Sequence, residues 1–180
     1  SKMLYVTGYM WDTPVQKDAV RHAMDLAIKM GKLVCMSLSD VFCIQRHEDE
    51  FSNLLKKRVD LVFCNEEEAK AISNSRDENE ALTTLSSWVP HVVMTKGARG
   101  AIAVVDGNRH ILAAVPAGAI DTTGAGDSFA AGYLYGMING WDVNKCGRIA
   151  SNISSKVVKQ MGPRLSPEAV IEIREALVNE

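Results

Sequence analysis

Apolar residues along this chain fall into short continuous runs, separated by stretches in which they recur every three or four positions. That alternation is the mark of buried strands punctuated by amphipathic helices. MLYVTGY (3–9), KLVCMSL (32–38), VDLVFC (59–64) and HVVMT (91–95) read as strands. Thr13 is placed to cap a helix with Pro14 at its first position and Gln16 completing a capping box. Ala19, Ala23, Leu26, Ala27 and Met30 form that helix's apolar stripe, and Gly31 ends it. A short helix is expected near 47–57, with Phe51, Leu54 and Leu55 facing inward. Asn65 caps a helix beginning EEEAKAI, a polar loop NSRDEN follows at 74–79, and a further helix covers about 78–88. GAIAVVDGNRHILAAV reads as a hairpin turning at Asp106-Gly107-Asn108. Beyond Gly124 the pattern is helical over about 126–139, 142–160 and 167–179, the last with Ser166 as cap and Pro167 at the first position.

Strands separated by helices predict an α/β fold, a mostly parallel sheet with helices on both faces. With 180 residues and 47% hydrophobic content, the chain can bury one core. A net charge of -2 offers nothing to nucleic acid, and no apolar run approaches bilayer length, so neither nucleic acid nor membrane is expected as a partner. The opening SKMLYVTGYMWD lacks the charged and apolar regions of a secretory signal. Cys35, Cys43, Cys64 and Cys146 are scattered, with no CxxC pair, which suits reduced thiols in a cytoplasmic protein. His22, His47, His91 and His110 show no metal-ligand spacing. The chain opens on a strand with almost no lead-in, as expected of the later portion of a domain.

The candidate chemistry lies in AIDTTGAGDSFAAGYLYG (119–136). Gly124, Ala125 and Gly126 stand at the mouth of a helix, where backbone N–H groups have no partner and the helix dipole is positive. Small residues let an anion approach those groups closely. Asp127 would repel a phosphate there, unless it accepts a proton from a hydroxyl attacking that phosphate. The alternative is that Asp127 only complements the dipole and the glycines only permit a tight turn. Asp121, Thr122 and Thr123 add oxygen ligands to the same turn. No GxxxxGK[ST] and no GxGxxG occurs, so phosphate chemistry here would use another apparatus.

DTTGAGDSFAAG resembles the C-terminal signature of the ribokinase (PfkB) family of carbohydrate and nucleoside kinases, in its adenosine kinase-like branch. The resemblance implies a ribokinase-like three-layer α/β/α fold, with 1–180 forming the C-terminal portion of a single kinase domain. It implies an ATP-dependent phosphotransferase acting on a primary alcohol of a nucleoside or sugar. Asp127 would be the base, and the N–H groups of Gly124, Ala125 and Gly126 the anion hole. NEEEA (65–69) matches the family's NxxE element, so Asn65 and Glu68 would help hold Mg²⁺ through water, although an Asn cap with dipole-complementing acids explains the same residues. In VMTKGARGA (93–101), Thr95, Lys96 and Gly97 would lie along the nucleotide, and Asn152 would sit near the adenine. Asn152 reads equally well as a polar position on a helix whose stripe is Cys146, Ile149, Ile153 and Val157.

KQMGPRLS (159–166) resembles the segment that, with the Asp121 turn, forms a monovalent-cation site in relatives. Asp121, Thr123, Gly162 and Ser166 would then hold K⁺, although Pro163 and Leu165 depart from the commonest pattern. GYMWD and SLSDVFCIQRHEDEF resemble bacterial adenosine kinases and related sugar kinases, where Asp40, Arg46 and His47 would face the acceptor or the phosphates. A solvated loop is the other reading of those three. The family's earlier segment, with its Gly-rich sugar-binding motif and β lid, has no match here. Poor turnover by the isolated chain is therefore expected, as is self-association, as a homodimer, through an exposed sheet edge. The other functional reading is a nucleotide-binding or interaction module of the same fold that lacks turnover.

Overall fold

Four consecutive strands pair in parallel, and every connection between them must then cross over the sheet. In the computed structural model, which describes residues 1–178, the strands are β1 (Met3–Thr7), β2 (Leu33–Ser37), β3 (Leu61–Asn65), β4 (His91–Thr95), β5 (Ala101–Val105) and β6 (Asn108–Leu112). They form one mixed sheet in the order β1-β2-β3-β4-β5-β6. Pairing runs Thr7 to Ser37, Ser37 to Phe63 and Asn65 to Thr95, so the carboxyl ends of β1–β4 fall on one edge. The crossovers are α1 (Pro14–Lys29), α2 (Val41–Lys57), and the pair α3 (Glu66–Ser73) and α4 (Glu78–Trp88). β5 and β6 turn at Asp106 and Gly107, with φ of 48° and 81°, the left-handed pair that a two-residue hairpin requires.

The described residues divide into two compact units. The first holds Ser1–Thr95 and Ile102–His110, and the second holds Lys96–Ala101 and the chain from Ile111 onward. The first unit's core is the set of fully buried strand residues Val34, Met36, Val62, Val92 and Met94, packed with Met24 of α1, Leu55 of α2 and Leu85 of α4.

Two expectations need correcting. The buried stripe of α1 is Val20, Met24 and Ala27, whereas Leu26 and Met30 are exposed. The stripe read from the sequence is rotated about one residue around the helix, because α1 is apolar on more than one side. Gln16 donates its backbone N–H to the Thr13 hydroxyl at 3.3 Å, but its side chain accepts from that same hydroxyl instead of closing a box on the backbone. The helix expected near 47–57 is present as the far half of α2, beyond a break at His47, with Phe51, Leu54 and Leu55 buried; a further helical stretch from Val41, capped by Asp40 through the Cys43 N–H at 2.6 Å, precedes it.

In the second unit, α5 (Ala125–Ile138), α6 (Val143–Val157) and α7 (Pro167–Val178) follow in sequence. Asn179, the expected last residue of α7, lies outside the described residues. Ile153, expected on the buried stripe of α6, is only half-buried, while Cys146, Ile149 and Val157 are buried. α5 and α6 approach closely where α5 has no side chains. A Cβ on Gly132 would come 2.9 Å from the Ala150 Cα, and one on Gly136 would come 2.7 Å from the Cys146 sulfur. Gly132→Ala is expected to destabilise the chain by about 1–3 kcal/mol through overpacking against backbone. Gly118→Ala, at a position with open space around it, should stay within about 0.5 kcal/mol. Urea denaturation of both variants checks the contrast.

Candidate active site

The turn before α5 is built from short local bonds. Ile120 and Asp121 donate their N–H groups to the Val158 carbonyl, at 2.7 and 3.3 Å. The Asp121 carboxylate accepts from the Thr123 N–H at 2.9 Å and the Gly162 N–H at 2.8 Å. The bonds from Thr123, with that from Gly162, hold the Asp121 carboxyl below its ordinary range. Residues 120–123 are thereby tied to 158–162. Gly124 then takes φ 76°, a conformation that favours glycine, and a Cβ there would run into the Pro163 ring.

At the helix mouth the outcome departs from three bare amides. The Ala125 N–H donates to the Thr122 carbonyl at 3.1 Å, so it is spent within the turn. Gly124 is the helix cap and has no side chain to satisfy the first turn, so the N–H groups of Gly126 and Asp127 find no acceptor among the described residues. Both residues are exposed, and the Asp127 carboxylate has no hydrogen-bond or ion-pair partner among the described residues. An exposed base beside open donors at a positive helix end can take a proton while the amides meet an anion. Dipole complementation also suits Asp127, with water meeting the two exposed amides.

In the first unit, Asn65 and Glu68 form a full capping box. The Asn65 Oδ1 accepts from the Glu68 N–H at 2.9 Å, while the Glu68 carboxylate accepts from the Asn65 N–H at 3.0 Å and from its Nδ2 at 2.6 Å. Glu68 is only 6% exposed. Burial pushes its carboxyl above the usual range, the Asn65 N–H pulls the other way, and the charge of Asp40 pushes up again. Thr95 ends β4 and donates its hydroxyl to the Cys64 carbonyl at 3.3 Å.

Asp40 also neighbours Tyr9, a residue that sequence reasoning did not single out. The Tyr9 hydroxyl is pushed up to about 12 by partial burial and by the nearby carboxylates of Asp40 and Glu68. Arg46 and His47 turn their side chains to another residue the sequence did not flag, Asp12. Arg46 grips both Asp12 oxygens, at 2.8 and 3.0 Å, and the His47 Nε2 lies 3.2 Å from Oδ1. The one signal in the sequence was the clustering of unlike charges in GYMWD and QRHEDE.

The remaining candidates lie in the second unit. Lys96 and Gly97 open a tight turn closed by the Lys96 N–H on the Gly100 carbonyl at 2.7 Å, with Gly97 at φ 56°. Asn152 is half-buried on α6. Gly162, at φ 80°, spends its N–H on Asp121. The Ser166 hydroxyl accepts from the Ala169 N–H at 3.2 Å and so caps α7. All four cysteines are buried, and burial raises Cys35 to about 12 and Cys43 and Cys146 to about 11, so none is a ready nucleophile. Among the described residues no cluster of three or more His, Cys, Asp or Glu side chains is arranged for a metal, and no helix is long and apolar enough to cross a membrane.

The profile of the family described as pfkB family carbohydrate kinase matches residues 1–169. The solved adenosine kinase from Sinorhizobium meliloti superposes with a TM-score of 0.93 at 36% identity, covering 98% of this chain and 54% of that one. A probable sugar kinase from Rhizobium etli superposes with a TM-score of 0.93 at 33% identity, with the same coverage, 98% and 54%. A cytidine kinase from Thermococcus kodakarensis is 36% identical over 109 residues, 58% of this chain and 39% of that protein. The chain thus spans about half the length of the proteins it resembles, or less.

Because the folded-state pKa of Glu68 is raised, its contribution to stability is fully present in acid and is lost as pH rises through that value. Gln does not titrate. The stability of the wild-type chain relative to Glu68→Gln is therefore expected to decline as pH rises above the ordinary glutamate range of about 4, as read from urea midpoints at successive pH values; a rise would contradict the burial argument.

Proposed function

The chain belongs to the pfkB family of carbohydrate kinases, and from that membership we propose that it carries the phosphate-facing half-site and the base of an ATP-dependent phosphotransferase acting on an alcohol of a nucleoside or sugar. The observation that carries this reading is the mouth of α5, where an unpartnered carboxylate at Asp127 stands beside open N–H groups at Gly126 and Asp127. Asp127 accepts the proton of the attacking hydroxyl as the oxygen–phosphorus bond forms. The amides of Gly126 and Asp127, with the positive end of α5, stabilise charge on the transferred group. Ala125 contributes its small size, which leaves the approach open, while its N–H holds the turn. Thr95, Lys96, Gly97 and Asn152 are the proposed nucleotide contacts.

Magnesium fits the chemistry of this chain only as an ion reached through water. The Glu68 carboxylate already accepts two bonds from Asn65, so neither residue is a bare ligand. Such an ion would neutralise phosphate charge when bound, with Asn65 and Glu68 orienting its waters. A monovalent cation fits less well. The Asp121 carboxylate is engaged by Thr123 and Gly162, and Ser166 caps α7, which leaves these residues a structural task that needs no ion.

A nucleoside acceptor is the first to test, since the solved relative at 36% identity is an adenosine kinase. Mg-ATP is expected to raise the melting temperature of this chain, and the full-length protein is expected to release ADP with one acceptor among nucleosides, ribose and fructose. In that protein, Asp127→Asn should lower kcat on the order of 10²–10⁴-fold while leaving ATP affinity unchanged. Loss of ATP affinity in parallel with kcat would mark Asp127 as structural. Stabilisation by Mg-ATP with no acceptor yielding ADP would favour a binding module.

A further inference from the structure

α2 is broken in its interior at His47, which has φ -132° and ψ 23°. No proline or glycine lies in that helix, so another agent must hold the break. The residues at the break, Arg46 and His47, both bond to Asp12. These side chains are 48%, 15% and 40% exposed, and ion pairs so placed add little to stability. The far half of α2 is held in the core by Phe51, Leu54 and Leu55 and the near half, residues 41–46, by Cys43 and Ile44, so the break lies between two anchored halves, and the near half carries Phe42 with 73% exposure.

Asp12 immediately follows a 3-10 turn at the end of β1, Gly8–Trp11. That turn is fastened on its inner side. Gly8 has no room for a Cβ, which would meet the Leu38 carbonyl oxygen at 2.7 Å. Trp11 is buried edge-on against Phe51 and donates its indole N–H to Glu50 at 3.0 Å. Tyr9 and Met10 point the other way, 52% and 37% exposed, and the Tyr9 hydroxyl reaches the Ser39 carbonyl at 3.4 Å. Two segments following the carboxyl ends of β1 and β2 thus hold apolar side chains in the open, joined by the Asp12 clamp. Ligands of open α/β sheets bind at that edge. Apolar and aromatic faces suit a flat organic acceptor, not a triphosphate.

We propose that Asp12, held by Arg46 and His47, is a positioning residue for the acceptor: it locks the Tyr9–Met10 turn to the start of α2, so that Tyr9, Met10 and Phe42 keep one arrangement. This rests on the kinase reading above, and the test separates the two. In hydrogen exchange on this chain, Asp12→Asn should speed exchange in segments 8–13 and 40–47 together. In steady-state kinetics on the full-length protein, Asp12→Asn should raise the acceptor KM on the order of tenfold, with kcat and the KM for ATP within about twofold. Arg46→Lys, which keeps the charge but not the two-pronged grip, should fall between Asp12→Asn and wild type. Faster exchange in only one segment overturns the proposal, as does an unchanged acceptor KM. A lowered melting temperature with both KM values rising alike marks a merely structural clamp and also overturns it. Wild-type protein that yields no ADP with any acceptor refutes the kinase reading and removes the positioning role, whatever exchange shows of the clamp.

Discussion

Parallel pairing of β1 through β4 is the constraint from which the rest of the first unit follows. Parallel neighbours forbid tight turns, so each strand must hand over to a helix that returns across the sheet. The strands then end on one edge, and the next helices begin just beyond it. Asn65, Asp40 and the Gly8–Trp11 turn are therefore neighbours in kind: each lies at or just beyond the end of a strand, where backbone N–H groups need partners. Asn65 and Asp40 supply them from their own side chains. In the second unit the mouth of α5 does not, because Gly124 has nothing to offer.

Each unit thus holds one candidate carboxylate, and the two differ in environment. Glu68 is buried, bonded twice by Asn65 and raised by loss of water. Asp127 is exposed and without a partner among the described residues. A buried acid gripped by its own cap suits an orienting task, and an open acid suits proton transfer. The open amides beside Asp127 are the feature on which the proposed kinase reading rests.

Much of this was legible in the sequence, for reasons that can be named. Strands buried on both faces appear as unbroken apolar runs, so β2, β3 and β4 announced themselves. Asp106-Gly107 demanded a hairpin, because two left-handed residues in a row suit little else. GAGD was readable because glycines before an acid at a helix mouth are a chemical statement. The buried side of α1 was not legible, because Val15, Leu26 and Ile28 put apolar residues on its exposed side too and only tertiary packing selects Val20, Met24 and Ala27. Nor was the extra helical stretch from Val41 to the break at His47, which the Asp40 cap starts. The Asp12 clamp lay hidden because its members stand more than thirty positions apart, and side-chain pairing at that separation leaves no periodic trace. The spent N–H of Ala125 was invisible too, since it depends on how the Thr122 carbonyl folds back.

The closeness of Gly124 to Pro163 limits what residue 124 can be. A methyl group at 124 would collide with the Pro163 ring, and the left-handed backbone at 124 disfavours any side chain besides. The two positions lie far apart along the chain yet share one pocket of space. Trimming Pro163 would clear the space but not the left-handed backbone, so Gly124 is held in place twice over.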